Sequence, residues 1–334
     1  MDTFASFISS INIDEEKMKR MQERAEADRL RVSEAEKPKL IEDIRVALID
    51  DGIDGFESKL SQNIAHGVSF CRPSDTEDLM RTYYVSSGGH GTMMARLIRR
   101  MCPRVKLYVA RLEDEKSSSG KRFITARSAR QAIDWAITNN VHIISMSWTI
   151  ESTENDHDIL ELKKSIDEAK RKNITMLCAF SDQGNNAPET TFPGFWKNEC
   201  WTIGAATSRG DASTLVDKNR VDFLFPGEQI IVDSEASAMT SSSPKPENGS
   251  SISTALAAGT AALLLFITQL VEPAFYTKLR EPDRLKKAFE ELCAKETGNP
   301  KYFAAQNFNL KFADAEWNWE NEGRKQVGFL VESL

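Results

Sequence analysis

This sequence predicts an α/β domain: a mostly parallel sheet covered by helices on both faces, with a buried helix through its centre. Three observations predict it. Short β-branched apolar runs alternate with amphipathic helical stretches along most of the chain, the pattern of a parallel sheet built from crossover units. Residues 248–271 read N-G-S-S-I-S-T-A-L-A-A-G-T-A-A-L-L-L-F-I-T-Q-L-V, without one charge. A helix there has no solvated face and belongs inside a core. The apolar run from Ile44, I-R-V-A-L-I-D-D-G, ends in polar residues, as strands do where an open α/β sheet binds its ligands.

Composition narrows the functional classes. At 334 residues, 40% hydrophobic and 28% charged, the chain is globular and has room for one large α/β domain or two ordinary ones. A net charge of −7 gives no electrostatic footprint for nucleic acid, so no such partner is expected. The first residues, M-D-T-F-A-S-F-I-S-S, lack the basic region and apolar core of a signal peptide. Cys71, Cys102, Cys178, Cys200 and Cys293 are scattered, with no C-x-x-C pair. Neither a disulfide framework nor a metal site is implied, and buried thiols in a cytoplasmic protein are the expectation. The run 252–271 is long enough to cross a bilayer. It carries Ser253, Thr254, Thr260, Thr268 and Gln269 and no flanking basic cluster, so a soluble core helix is the better reading and no membrane partner is expected.

Taken in order, residues 1–40 form a charged helical extension with a thin apolar stripe of Met18, Met21, Ala25 and Leu30, bounded by Pro38. Residues 41–300 form the main domain. After the strand from Ile44 comes a polar loop over 72–87, then G-G-H-G-T-M-M-A, in which His90 opens a helix whose inward stripe is Met93, Met94, Leu97 and Ile98. Strands are expected over 105–111, 141–148, 174–180 and 201–206, and helices over 125–139 and 158–172. A Ser/Pro-rich loop over 234–248 leads into the central helix. Beyond Val271, Asp283 is expected to cap a helix running to Leu292, with Leu285, Ala288, Phe289 and Leu292 inward. The aromatic-rich segment 301–334 is expected to pack on the domain.

Three polar positions then converge: Asp50 at a strand end, His90 at a helix start, and Ser251 at the start of the central helix. A serine at a helix N-terminus has backbone N–H groups beside it for a developing oxyanion. In this order the three resemble the subtilisin-like serine proteases, whose signatures run V-x-D-x-G, H-G-T-x-V-A and G-T-S-x-A-x-P. The counterparts are V-A-L-I-D-D-G around Asp50, H-G-T-M-M-A around His90 and G-S-S-I-S-T-A around Ser251. I-I-S-M-S-W resembles the substrate-binding strand I-N-M-S-x-G, and C-A-F-S-D-Q-G resembles A-A-G-N-x-G, which holds the oxyanion-hole asparagine. The resemblance covers residues 45–271. It implies a subtilisin-like fold and a serine endopeptidase acting on peptide or protein; no cofactor and no metal ligand is assigned from the sequence, and calcium dependence is left open. Asp50 would fix the tautomer of His90, His90 would take the Ser251 proton, and Ser251 would form an acyl-enzyme. Ser147, Trp148 and Thr149 would line the substrate site.

The departures carry expectations of their own. Asp182 stands at the oxyanion-hole position, where an ionised carboxylate repels the charge that an amide stabilises; one lost donor there costs on the order of 10²–10³ in turnover. Burial beside the Asp50 charge would favour its protonated form, and Asp182→Asn is expected to keep or raise activity. Ser250, Met94 and Ala255 replace Thr, Val and Pro of the motifs, and Trp148 and Thr149 narrow the cleft. Asp51 resembles the second acid of kexin-like convertases, which faces a basic substrate side chain. No family-type propeptide is evident before Ile44. The chain looks like an intracellular subtilase domain working with other domains of a larger protein, its N-terminal helix an attachment or control element. Two other readings remain: a subtilisin-fold module that binds peptides or partners without cleaving them, and a Mg²⁺ site built from Asp50, Asp51 and Asp54.

Overall fold

The computed structural model describes residues 42–72, 81–116, 122–184, 188, 190–232, 245–271, 273–293 and 301–303. The N-terminal helix expected over 13–37, most of the loop over 234–248 and the tail beyond 303 lie outside the described residues. Seven strands form one sheet: β1 (Arg45–Asp50), β2 (Ile64–Ser69), β3 (Lys106–Arg111), β4 (Ile143–Met146), β5 (Thr175–Ala179), β6 (Trp201–Ala206) and β7 (Phe223–Pro226). Their spatial order is β7-β6-β5-β4-β1-β3-β2, and every pairing is parallel. The central strands are the apolar β-branched runs read from the sequence, buried on both faces as a covered parallel sheet requires.

The two edge strands were not foreseen. β2 reads I-A-H-G-V-S and is only partly buried; β7 is F-L-F-P, four residues ending in proline. His66 and Gly67 break the apolar run that marks an inner strand in β2, and β7 is short and ends in Pro226, which is tolerated at an edge because no ladder N–H is needed there.

Helices cover both faces. On one side lie α2 (Ala126–Thr138) and α3 (His157–Arg171), which bury Ala129, Ala132, Ile133, Ile159, Leu162 and Ile166 against β1, β4 and β5. Their N-caps are Thr125, which accepts from Ser128 N–H, and Asp156, which accepts from Asp158 and Ile159 N–H; each satisfies amides that a first helical turn leaves without a partner. On the other side are α1 (His90–Met101), α4 (Ser250–Val271), α5 (Pro273–Leu279) and α6 (Pro282–Leu292). The α6 face Leu285, Ala288, Phe289 and Leu292 is buried as expected. Its cap is corrected: Glu281 holds the N-cap position and Asp283 lies in the first turn, because Pro282 already opens the helix. Phe303 stacks on Phe225, with centroids 4.5 Å apart and planes at 10°; the rest of the segment expected to pack on the domain lies outside the described residues.

The uncharged helix α4 runs between α1 and the sheet. Of its most apolar window, 94% is buried inside the protein, which accounts for its composition without a bilayer. Each large apolar side chain it buries contributes about 1.5–3 kcal/mol. Its hydroxyls are satisfied locally: Thr254 and Thr260 Oγ1 donate to Ser250 O and Leu256 O, and Ser253 Oγ to Phe225 O. Gly259 sets the spacing to α1, since a Cβ there would lie 2.6 Å from Met101 Cβ and 2.7 Å from Ile98 O. At the far end, Gln269 clasps the backbone of Glu42, accepting its N–H at 2.8 Å and donating to its C=O at 2.9 Å. Glu42 also joins a buried polar cluster. Arg45 N–H donates to His142 Nδ1 at 2.9 Å, which leaves the His142 proton on Nε2, 3.6 Å from Glu42 Oε1. Tyr276 O–H donates to the same oxygen at 2.7 Å.

Two outcomes follow. Gly259→Val forces α1 and α4 apart and should lower stability by about 1–3 kcal/mol; an unchanged denaturant midpoint would rule out so close a crossing. The His142 ring, then Tyr276 and Arg280, hold the Glu42 carboxyl down from 4.5 to about 2. Its folded pKa lies below its unfolded one, so the stability it contributes is present above pH 4.5 and is lost as pH falls toward about 2. In melting curves across that window, the gap between wild type and Glu42→Gln should therefore close as pH drops.

Candidate functional site

The site lies at the carboxyl edge of the sheet, beside β1, where the strand order reverses and open α/β sheets place their ligands. Asp50 ends β1. Ile49 and Met146 are register partners on β1 and β4, so Asp50 and Ser147 emerge side by side, about one strand spacing of 4.8 Å apart. The Asp50 carboxylate is 1% exposed. It meets His90 Nδ1 with both oxygens, at 2.8 and 2.9 Å, and Oδ1 accepts the Asp51 N–H at 2.8 Å. A carboxylate on Nδ1 holds the proton there and leaves Nε2 as the basic nitrogen. His90 is the first residue of α1. Gly91 beside it cannot carry a side chain, because a Cβ would lie 2.1 Å from Gly52 O, which explains the glycine after His90.

Ser251 sits in the first turn of α4 and is tied to β4 reciprocally. Ser251 Oγ donates to Ser147 O, and Ser147 Oγ to Ser251 O, both at 3.2 Å. Ser251, Ser147, Trp148, Thr149, Ala179, Phe180, Ser181 and Asp182 line one cleft of about 300 Å³. The structure thus brings Ser147, Trp148, Thr149, Asp182 and Ser251 around a common space. Trp148, one of the residues lining the cleft, is 4% exposed, and its indole N–H donates to Ile49 O at 2.9 Å, because a buried indole N–H needs an acceptor and the β1 carbonyl supplies one.

Asp182 departs from expectation in its partners. Its carboxylate is not aimed into the cleft as a free charge: Oδ2 accepts Ser250 N–H at 2.8 Å and Oδ1 accepts Ser250 Oγ–H at 2.5 Å. Ser250 Oγ in turn accepts Ala205 N–H at 3.1 Å. The acid therefore caps α4 and joins it to β5 and β6, at the helix end where the dipole favours an anion. Burial raises its pKa, and the two Ser250 donors oppose the rise; the source is its own desolvation, not the Asp50 charge. Ile252 and Ser253 donate back to Gly249 O, which leaves the Ser251 amide as the first-turn donor that takes none of these acceptors.

Asp51 also departs from expectation. It was expected to face a basic substrate side chain, but it is 1% exposed. It accepts Gly91 N–H and Ser86 Oγ–H on Oδ1, at 2.8 and 2.7 Å, and Gly88 N–H and Ser87 Oγ–H on Oδ2, at 2.8 and 3.3 Å. A buried carboxylate must be satisfied internally, and the segment before α1 supplies the donors. Asp54 Oδ1 accepts Phe56 N–H, so the three acids diverge, and no metal-holding cluster is found among the described residues.

Sequence reasoning missed parts of the cleft. Phe123 and Ile124 line it, and Gln183 Nε2 donates to Glu151 Oε1 at 2.8 Å between two of its walls. Nothing local in those stretches marks them, because they meet the site only through tertiary packing.

The profile of the subtilase family matches residues 42–273. "Subtilisin-like protease het-Q2" of Podospora anserina is 30% identical over 207 residues, 59% of this chain and 55% of that protein. "Intracellular serine protease" of Paenibacillus polymyxa is 27% identical over 253 residues, covering 72% of this chain and 71% of that one. Among solved structures, a lanthipeptide protease superposes with a TM-score of 0.63 at 15% identity, covering 80% of this chain and 88% of that one, which speaks for the fold. The chain spans little more than half the length of the fungal relative.

Capping by Asp182 is testable. Asp182→Ala should cost about 1–2 kcal/mol in a denaturant melt. Asp182→Asn keeps an acceptor for Ser250 N–H and should lose less; equal losses would show that the carboxamide cannot serve as the cap.

Proposed function

This chain belongs to the subtilase family, and from that premise we propose that it is a serine endopeptidase acting through Asp50, His90 and Ser251. The observation that carries the reading is the two-oxygen contact of Asp50 with His90 Nδ1, one strand away from a serine that opens the buried helix and lines a cleft. Asp50 orients the imidazole and stabilises its charged form. Nε2 of His90 takes the proton as Ser251 Oγ leaves Ser147 O and attacks the scissile carbonyl, forming the acyl-enzyme. His90 returns that proton to the leaving amine, and water then releases the acid by the same route. With Asp182 bound to Ser250, the developing oxyanion falls to the Ser251 N–H and the positive end of α4. Peptide main chain would lie along the cleft formed by the ends of β4 and β5. The relative named as intracellular supports a cytoplasmic setting.

A fluorophosphonate probe tests this directly. The wild-type chain should become labelled, and Ser251→Ala should abolish labelling. His90→Ala and Asp50→Asn should each slow it by orders of magnitude, by about 10⁴ for the Asp50 change by analogy with other triads. A wild-type chain that stays unlabelled from pH 6 to pH 9 would leave only the peptide-binding module.

A further inference from the structure

Two acids stand in succession at the end of β1, and they serve different parts of the same segment. Asp50 holds the His90 ring. Asp51, on the opposite side of the strand as alternation requires, takes the N–H groups of Gly88 and Gly91 and the hydroxyls of Ser86 and Ser87. Those residues bracket His90 in sequence. The fastening continues outward: Gly89 N–H donates to Ser86 Oγ at 2.7 Å, and Ser87 N–H to Asp51 O at 3.2 Å. On β3, Arg111 is the register partner of Asp50 and is 4% exposed. It donates from one guanidinium nitrogen to Thr82 O at 3.0 Å and Val85 O at 2.8 Å. The segment 82–91 thus meets a buried anion where its donors point down and a buried cation where its carbonyls do.

We propose that Asp51 is a positioning residue for His90, fixing the backbone on both sides of the imidazole so that Nδ1 stays on Asp50 and Nε2 faces the reacting serine. The inference rests on the reading of His90 as the base proposed above. Asp51 is 1% exposed and both its oxygens are taken by the segment 86–91, so its effect passes through His90 and not through substrate contact. A ring held by one carboxylate alone can still pivot about the chain that carries it, and misplacement of about 1 Å can cost on the order of a hundredfold in rate. Replacing Asp51 by Asn keeps the shape but turns an amide N–H₂ toward groups that themselves donate, which loosens the segment.

The test combines one readout that needs no substrate with one that does. In proton NMR, the low-field Nδ1–H resonance of His90 should broaden or shift in Asp51→Asn relative to wild type. With two peptides differing only in a basic or neutral side chain beside the cut, kcat should fall about tenfold to a hundredfold for both, while KM stays within about twofold. An unchanged resonance, with loss confined to thermal stability, would overturn the proposal in favour of a purely structural acid. A rise in KM for the basic peptide alone would overturn it in favour of substrate recognition. If Asp51→Asn does not fold, the double variant Ser86→Ala/Ser87→Ala removes two of the four donors and is read by the same criteria. The resonance is measured without turnover, so it judges Asp51 even if Ser251 fails to label, and labelling judges the peptidase reading whatever Asp51 does.

Discussion

The constraint on which the rest depends is that α4 has no face for water. A helix of 22 residues without a charge must be enclosed, and in this protein it is enclosed between α1 and the parallel sheet. That burial decides where its first turn lies. The helix begins where the strands end, so Ser250 and Ser251 arrive at the sheet's carboxyl edge beside Asp50 and Ser147. The small residue at Gly259 lets α1 approach closely, and α1 is the helix that begins with His90. The packing of α1 against α4 thus also sets where His90 and Ser251, the first-turn residues of the two helices, lie along the sheet edge.

Around that arrangement the buried charges divide the work. None of Asp50, Asp51 and Arg111 is more than 4% exposed, and each engages a different part of the segment that leads into α1. Asp182 adds a fourth tie, from the end of β5 to the first residue of α4. Burying so many charged groups is costly unless every one is satisfied. Here the donors and acceptors are mostly backbone amides and carbonyls of irregular segments, groups that would otherwise need partners themselves. The result is a loop-rich site with the rigidity of its sheet.

Much of this was legible in the sequence because the inner strands and α4 announce themselves by composition. Val46, Leu48 and Ile49 form a continuous apolar run, and the uncharged stretch to Val271 allows no exposed helix. The edge strands β2 and β7 were hidden, since His66, Gly67 and Pro226 break the run that marks a strand. The positions of Asp50, His90 and Ser251 could be read because each falls at the end of a recognisable element. What those elements' neighbours do could not. Whether Asp51 looks outward or inward depends on Ser86 to Gly91 folding back over it, and whether Asp182 faces the cleft or Ser250 depends on a helix start nearly seventy residues later. The size of Trp148 is visible in the sequence, but the acceptor of its indole N–H, Ile49 O, is not.

The place of α4 in the chain also has a bearing on synthesis. A parallel sheet whose neighbours lie far apart in sequence closes slowly, and this one receives its central helix only after all seven strands have been made. Until that helix and the Phe303 ring on Phe225 have emerged from the ribosome, the face of the sheet that α4 covers lacks most of its packing. A nascent chain of this fold is therefore at its stickiest after β7 and before α4 has been made, when a holding chaperone would find the widest apolar surface to cover.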